Sequence, residues 1–249
     1  MLLRIKEEIY EIKLLFRSIP SLLSALFIAS VIAMNLLANK SISLPVSWLA
    51  LDCGIIVSWI SFFSMDVITK HFGPKAATEA SLAAAGINLL FCLFFFAASK
   101  IPGVWGESYV EGSEALLNGA LDNTFGGTWY VLLGSTAAFI VSAVVNNFLN
   151  SAVGRLFSKN PDSFAAYTCR TYVSTAVGQF ADNIVFAFIV SHVFFGWSGL
   201  QCVTCAAAGM VAELLFEALF SPLGYRLCVK WKAQNVGSQY FEYIRSKRK

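Results

Sequence analysis

The chain has 249 residues, of which 57% are hydrophobic and 13% are charged, whereas a soluble domain has roughly 25% charged residues. Its mean hydropathy is +0.66, and apolar runs of about 20 residues, long enough to cross a bilayer, recur along nearly the whole chain. Six such runs leave no room for a second, water-soluble domain. The composition therefore excludes a soluble globular protein and predicts an all-α, polytopic integral membrane protein.

The first segment, residues 1–17, has the pattern of an amphipathic helix. Ile5 and Ile9 fall on one helical face, and Glu7 and Arg17 fall largely on the other. Such a helix lies in the membrane interface and does not cross the bilayer. The acidic residues near the start, and the lack of a small-residue cleavage site, argue against a signal peptide.

Six apolar segments follow and are predicted to be transmembrane helices. They cover roughly residues 20–38, 47–68, 77–98, 129–153, 171–195 and 202–228. The glycine-rich segment 99–128 is predicted to be an external loop with a short helix at about 111–121. The chain is thus expected to contain an interfacial helix (1–17), a six-helix transmembrane domain (18–230) and a basic cytoplasmic tail (231–249).

The basic residues indicate the orientation of these helices. Of the 18 Lys and Arg residues, only Lys40 and Lys100 fall in the linkers after the first, third and fifth spans. The remaining basic residues lie in the terminal segments and in the second and fourth linkers. Because cytoplasmic loops are enriched in Lys and Arg, this alternation predicts that both termini are cytoplasmic. The net charge of +3 therefore needs no nucleic-acid partner.

Five acidic residues lie within or at the edge of the predicted spans. They are Asp52, Asp66, Asp182, Glu213 and Glu217. No Lys or Arg is expected at a comparable depth, and a charge in hydrocarbon costs at least ~2.5 kcal/mol. The expected partner of these acids is a proton, a metal cation or a substrate with several N–H donors.

Three predicted spans carry pairs of polar residues three or four positions apart, and thus on one helical face. The pairs are Asn147 with Asn150, Gln179 with Asp182, and Glu213 with Glu217. This spacing predicts a central binding cavity between the helices. Hydrogen bonding from helix to helix is the alternative. For Asn35 and Asn88, taken alone, the two interpretations are balanced, and Asn88→Ala is expected to lose little.

The fifth predicted span carries Ser174-Thr175, then Gln179, then Asp182-Asn183. This order resembles the signature of the queuosine-precursor transporter family, also called the vitamin uptake transporter family. The resemblance implies uptake of a 7-deazaguanine base, a queuosine precursor or queuine, across a prokaryotic inner membrane. Such a base presents an amino group and ring N–H donors that carboxylates and amides can meet. Tyr172 or Phe180 is expected to stack on its rings.

Other spans carry the rest of the resemblance. Asp66 ahead of a Phe-Gly pair is similar to a family segment between spans two and three, Asn35 to an early Asn, and Glu217 with Pro222 to a Glu-x-x-x-x-Pro in the last span. In this chain Glu213 stands where the family usually has Lys. The predicted substrate site comprises the following residues. They are Asn35, Asp66, Asn147, Asn150, Gln179, Asp182, Asn183 and Glu217.

The sequence has no Gly-rich phosphate loop and no HExxH or GxSxG motif, so an enzyme is not expected. No cofactor is expected, and no residue is assigned as a metal ligand. The expected partners are a purine-like base and the lipid bilayer. Two alternatives to a self-contained transporter stay open. One is a substrate-capture subunit of an energy-coupling-factor assembly, in which Ala25, Ala29 and Ala33 would dock on an ATPase-module partner. The other is a membrane scaffold without a transported ligand. A homodimer is a separate expectation about partners.

Overall fold

The computed structural model describes residues 2–105, 112–156 and 164–247. Within these ranges nearly all of the chain is helical. The helices are α1 (Leu2–Ser18), α2 (Ser21–Leu37), α3 (Ile55–Phe72), α4 (Pro74–Ala98), α5 (Glu114–Leu156), α6 (Phe164–Phe186), α7 (Val193–Phe195), α8 (Gly199–Ala233) and α9 (Ser238–Lys247). A π-helical segment, Ala187–His192, joins α6 to α7. Two short antiparallel strands, β1 (Ser41–Ile42) and β2 (Leu51–Asp52), complete the fold.

In the described part of the chain, five helical segments are long and apolar enough to cross a membrane. They are Ile55–Phe72, Pro74–Ala98, Ala115–Ser142, Tyr172–Phe195 and Gly199–Ala233. α1 and α2 form a bent pair, with an angle of 109° between them. With its 17 residues, α2 is about 26 Å long, and this bent pair is the sixth candidate span. The prediction of an all-α, polytopic membrane protein is confirmed.

The orientation of α1 fits a helix in the membrane interface. Glu11 and Leu15 point toward the bundle and are fully buried, while Ile9, on the predicted apolar face, is 60% exposed. The part of the apolar face around Ile9 thus points away from the bundle, where lipid can cover it, whereas Phe16 packs against the core. Pro20, just before α2, stands where a missing N–H costs nothing and the chain changes direction.

The second span begins later than the sequence predicts, at Ile55 and not at residue 47. The preceding residues form the β1–β2 hairpin, in which the Cys53 N–H donates to the Lys40 carbonyl at 2.8 Å. Asp52 Oδ1 accepts the Gly54 N–H at 2.8 Å immediately before the helix. The apolar composition of this segment did not reveal the turn, whose polar groups form hydrogen bonds within the hairpin itself.

The segment predicted as a glycine-rich external loop differs in its second half. α5 begins at Glu114 and continues without a break into the fourth span, so the short helix and the span are one helix. Trp105, which precedes α5 in the chain, is bound to this helix: its backbone N–H donates to Asn118 Oδ1 at 2.7 Å. Its indole Nε1–H donates to Asp122 Oδ1 at 3.1 Å.

The C-terminal segment, predicted to be a basic tail, is largely helical as far as residue 247. α8 continues to Ala233, and Asn235 and Gly237 then turn the chain with positive φ angles of 52° and 81°. α9 packs back on the bundle, burying Tyr240. The buried Glu11 accepts a hydrogen bond from Lys247 at 2.8 Å and another from Lys75. α1 and α9 therefore lie together at one end of the helical bundle.

Candidate functional site

A cavity of about 1780 Å³ lies between α2, α3, α4, α5, α6 and α8. At one end it is lined by solvent-exposed residues that include Lys232, Asn235 and Arg245, near the turn from α8 to α9. A drug-sized pocket is usually about 300–1,000 Å³. The volume and these exposed residues indicate an open vestibule that leads into the bundle.

The opposite end of the cavity is closed by packed side chains. Ala38, Val131 and Val190 form a buried apolar cluster there. Tyr130 Oη donates to Asn39 Oδ1 at 3.0 Å, and its ring stacks on Phe194 with 4.3 Å between ring centroids. The cavity is therefore accessible from one end of the bundle and sealed at the other.

Three amide side chains line the cavity between its open and closed ends. Asn35 is buried and donates its Nδ2–H to the Val31 carbonyl at 3.0 Å. Within the described structure, Asn88 Nδ2 and Gln179 Oε1 are buried and have no hydrogen-bond partner. Leaving such a group unpaired costs roughly 1–3 kcal/mol. One donor and one acceptor are thus available to a ligand in the cavity.

Two carboxyl groups also line this cavity. Asp66 on α3 and Asp182 on α6 are both half-buried because the cavity reaches them. The Asp66 carboxyl contacts the Glu217 carboxyl on α8. Asp182 lies beside Glu213, which is also on α8. No cluster of three His, Cys, Asp or Glu residues that could hold a metal ion is found among the described residues. The oxygen atoms of Asp66 and Asp182 are hydrogen-bonding groups in the cavity lining.

The structure brings four of the predicted site residues to this cavity: Asn35, Asp66, Gln179 and Asp182. Two others, Asn183 and Glu217, lie outside its wall. Glu217 is buried beside Trp59 and Phe220, and it contacts the cavity residue Asp66.

Asn183 faces the backbone of α8 instead of the cavity. A Cβ atom at Gly209 would lie 2.6 Å from Asn183 Nδ2, so the glycine permits α6 and α8 to approach closely at this level. The two remaining predicted site residues, Asn147 and Asn150, belong to α5. Their side chains lie outside the described part of the structure.

Lys70 is a cavity residue that the sequence analysis placed in a linker. Lys70 lies one turn after Asp66 on α3, and its Nζ atom is 4.4 Å from the centre of the Tyr225 ring. Both Asp66 and Glu217 lie within its electrostatic reach. The expectation that the acids have no basic partner was wrong for this pair. The i, i+4 spacing of Asp66 and Lys70 was the signal that could have revealed it.

The aromatic residues of the cavity also differ from the expected ones. Tyr172 lines a separate shallow depression, and the main cavity contains neither Tyr172 nor Phe180. Its aromatic lining includes Phe27, Phe62 and Phe139 instead. Helical periodicity relative to Gln179 and Asp182 separates Phe180 from the polar face, because residues one position apart point about 100° apart.

The fold and the cavity define a polytopic membrane protein with a polar site in its interior. A family model described as "Putative vitamin uptake transporter" matches residues 52–227. The chain belongs to this vitamin uptake transporter family. The resemblance found in the sequence is thereby confirmed, and because the family is one of transporters, the chain is not an enzyme.

One curated relative gives the comparison more detail. The chain is 30% identical over 125 residues to the "Probable queuosine precursor transporter" of Bacillus subtilis (strain 168). The match covers 50% of this chain and 49% of the relative, so the chain matches about half the length of that protein. No solved structure matches the chain.

Proposed function

We propose that the protein imports a 7-deazaguanine base, a queuosine precursor or queuine, across the inner membrane of a prokaryotic cell. The observation that carries this proposal is the pair of unpaired amide groups, on Asn88 and Gln179, buried in a cavity that also contains Asp182. The printed name of the Bacillus subtilis relative supports the substrate class.

The chemistry of the cavity matches the edge of a guanine-like ring. Asp182 accepts the paired N–H groups of the amino-pyrimidine edge, an arrangement that charge-assisted hydrogen bonds favour. Gln179 Oε1 accepts a further N–H, and Asn88 Nδ2 donates to the ring carbonyl. Phe62 and Phe139 provide flat apolar surfaces for the ring faces. A base bound here exchanges its hydration for these groups.

The direction of the cavity follows from the charges. α1 and α9 contact each other, and the open end of the cavity includes Lys232 and Arg245. By the positive-inside rule this end faces the cytoplasm, which puts both termini in the cytoplasm. The structure then corresponds to an inward-open state. Import requires the sealed end around Tyr130 and Phe194 to open on the outer side.

The capture-subunit alternative makes a different prediction about partners. Ala25 and Ala29 on α2 are exposed, so an ATPase module or a second copy could reach this ridge. Co-purification of the full-length protein with ATPase subunits would favour that alternative, and size-exclusion chromatography with light scattering would reveal a homodimer. The family assignment lends no support to a scaffold that carries no substrate.

Uptake tests the proposal directly. A bacterial strain that cannot make queuosine and has no salvage transporter is complemented with this chain and given labelled queuine or a labelled 7-deazaguanine precursor. The expected result is label in the cells and in their tRNA, with competition from the unlabelled base. Correctly inserted protein that leaves uptake at the empty-vector level for each of these bases contradicts the proposed function.

A further inference from the structure

Glu213 on α8 is a buried acid that the proposed binding site does not use. It is 6% exposed, and it is absent from the lining of the large cavity. Its Oε2 atom is buried without a hydrogen-bond partner among the described residues. Because an ionised carboxylate is costly in the bilayer interior unless a cation meets it, an acid in such a place marks a proton site or an ion path.

The ionisable groups around Glu213 are themselves acidic. From α6, Asp182 lies beside it, together with the amide of Asn183. On α8 itself, Cys205 is a neighbour and Glu217 lies one turn away. The α3 groups that pack against α8, Asp66 and Lys70, interact with Glu217. Two adjacent carboxyl groups do not easily ionise together, which favours a proton on one of the two.

A small second cavity lies between Glu213 and residues of the large one. It has a volume of about 10 Å³ and is lined by Glu213, Glu217 and several aromatic rings, which is about the space of one water molecule. Thr175 and Phe62 line both cavities. The Thr175 hydroxyl can both accept and donate a proton in a hydrogen-bonded chain. Glu213 is thus shielded from the substrate but lies one step from its site.

We infer that Glu213 is the proton-binding site that couples import of the base to a proton gradient. With the base bound, its N–H groups hold Asp182 as the carboxylate, and Glu213 keeps the proton. When the base leaves, the O–H bond at Glu213 breaks and one forms at Asp182. Water in the open cavity then takes the proton to the cytoplasm. This inference rests on the proposed function, because it needs a substrate that ionised Asp182 binds.

The test uses the full-length protein in liposomes with labelled queuine, either with equal pH on both sides or with the outside about one unit more acidic. With one proton per base, this gradient supports about tenfold accumulation. In Glu213→Gln, which resembles the protonated acid, the ratio of uptake with and without the gradient should fall to about one, while equilibration continues. Glu213→Asp keeps a titrating group and should recover part of the response.

Several results would overturn the inference. Accumulation by Glu213→Gln equal to that of the wild type is one. Wild-type uptake that ignores the gradient is another, and it leaves the proposed function intact. No uptake or binding by the wild type contradicts the proposed function itself, and the inference with it. Should Glu213→Gln fail to assemble, a pH-sensitive dye measures how many protons the wild type moves with each base. One proton per base supports the inference, and import of the base without proton movement overturns it.

Discussion

Two pairs of acids cross the wall of the cavity, and they differ in how their charge is met. In each pair an aspartate lines the cavity and a glutamate of α8 lies behind it: Asp66 with Glu217, and Asp182 with Glu213. The first pair has Lys70 within electrostatic reach. Among the described residues near the second pair, the ionisable neighbours are acids and a thiol. We therefore propose a structural role for the first pair, and binding and coupling for the second.

The largest expected effect separates the two aspartates. Charge-assisted hydrogen bonds are worth roughly 1.5–3 kcal/mol, so Asp182→Asn should weaken binding of the base about ten- to a hundredfold and abolish uptake. Asp66→Asn, the matched change in the other pair, should weaken binding less than tenfold. Isothermal titration of the purified variants with queuine measures both. Equal losses at the two positions would remove the distinction between the pairs.

Lys70 sharpens the same comparison through stability. Replacing it by methionine leaves Asp66 and Glu217 without their cation, and a buried polar group that loses its partner costs roughly 1–3 kcal/mol. We therefore expect a lower Tm for Lys70→Met and recovery in Lys70→Met combined with Asp66→Asn. Lys232→Met, at the exposed mouth of the cavity, is the control and should leave the Tm unchanged. A Lys70→Met protein as stable as the wild type would show that the first pair needs no cation.

A smaller effect is expected at Asn88. Its Nδ2 has no partner in the described structure, so alanine removes a contact to the ligand and no bond within the protein. A neutral hydrogen bond is worth roughly 0.5–1.5 kcal/mol, which corresponds to a loss of about two- to tenfold in affinity with an unchanged Tm. Affinity equal to that of the wild type would instead agree with the sequence-based expectation that Asn88→Ala loses little.

The smallest effect concerns Asp52, which lies in the hairpin outside the spans. Burial raises its pKa from 3.8 to about 6, against the hydrogen bond from the Gly54 N–H, which lowers it. Since the unfolded chain ionises Asp52 more easily, its contribution to stability decreases as the pH rises from about 4 through 6. Asp52→Asn keeps an acceptor for the Gly54 N–H and should raise the Tm at pH 8 but not at pH 4. A pH-independent difference would contradict this.

The sequence was sufficient for the helical class and the positions of most spans, because apolar length and the placement of Lys and Arg are local properties. It also selected Gln179 and Asp182, since a three-residue spacing puts both on one helical face. It could not place Glu217 behind the cavity wall or Asn88 within it. Those positions depend on how the helices rotate against one another, which packing determines.

The predicted ends of the second span were wrong for a different reason. The second span was drawn from residue 47 because hydropathy averages over a window, and the Asp52–Gly54 hydrogen bond that ends the hairpin is a single local event. Lys70 was assigned to a linker on the same basis, although α3 continues to Phe72. Because α3 continues beyond the apolar window, its last turn places Lys70 in the cavity lining.

The central claim is that the base binds toward the closed end of the cavity, between Asp182, Gln179 and Asn88. An experimental structure of the full-length protein with bound queuine tests it most directly. The account predicts the amino-pyrimidine edge of the base within hydrogen-bonding distance of the Asp182 carboxylate, with Gln179 Oε1 and Asn88 Nδ2 on its other polar atoms. Density for the base only at the open mouth, beside Lys232 and Arg245, or outside the cavity, would contradict the account.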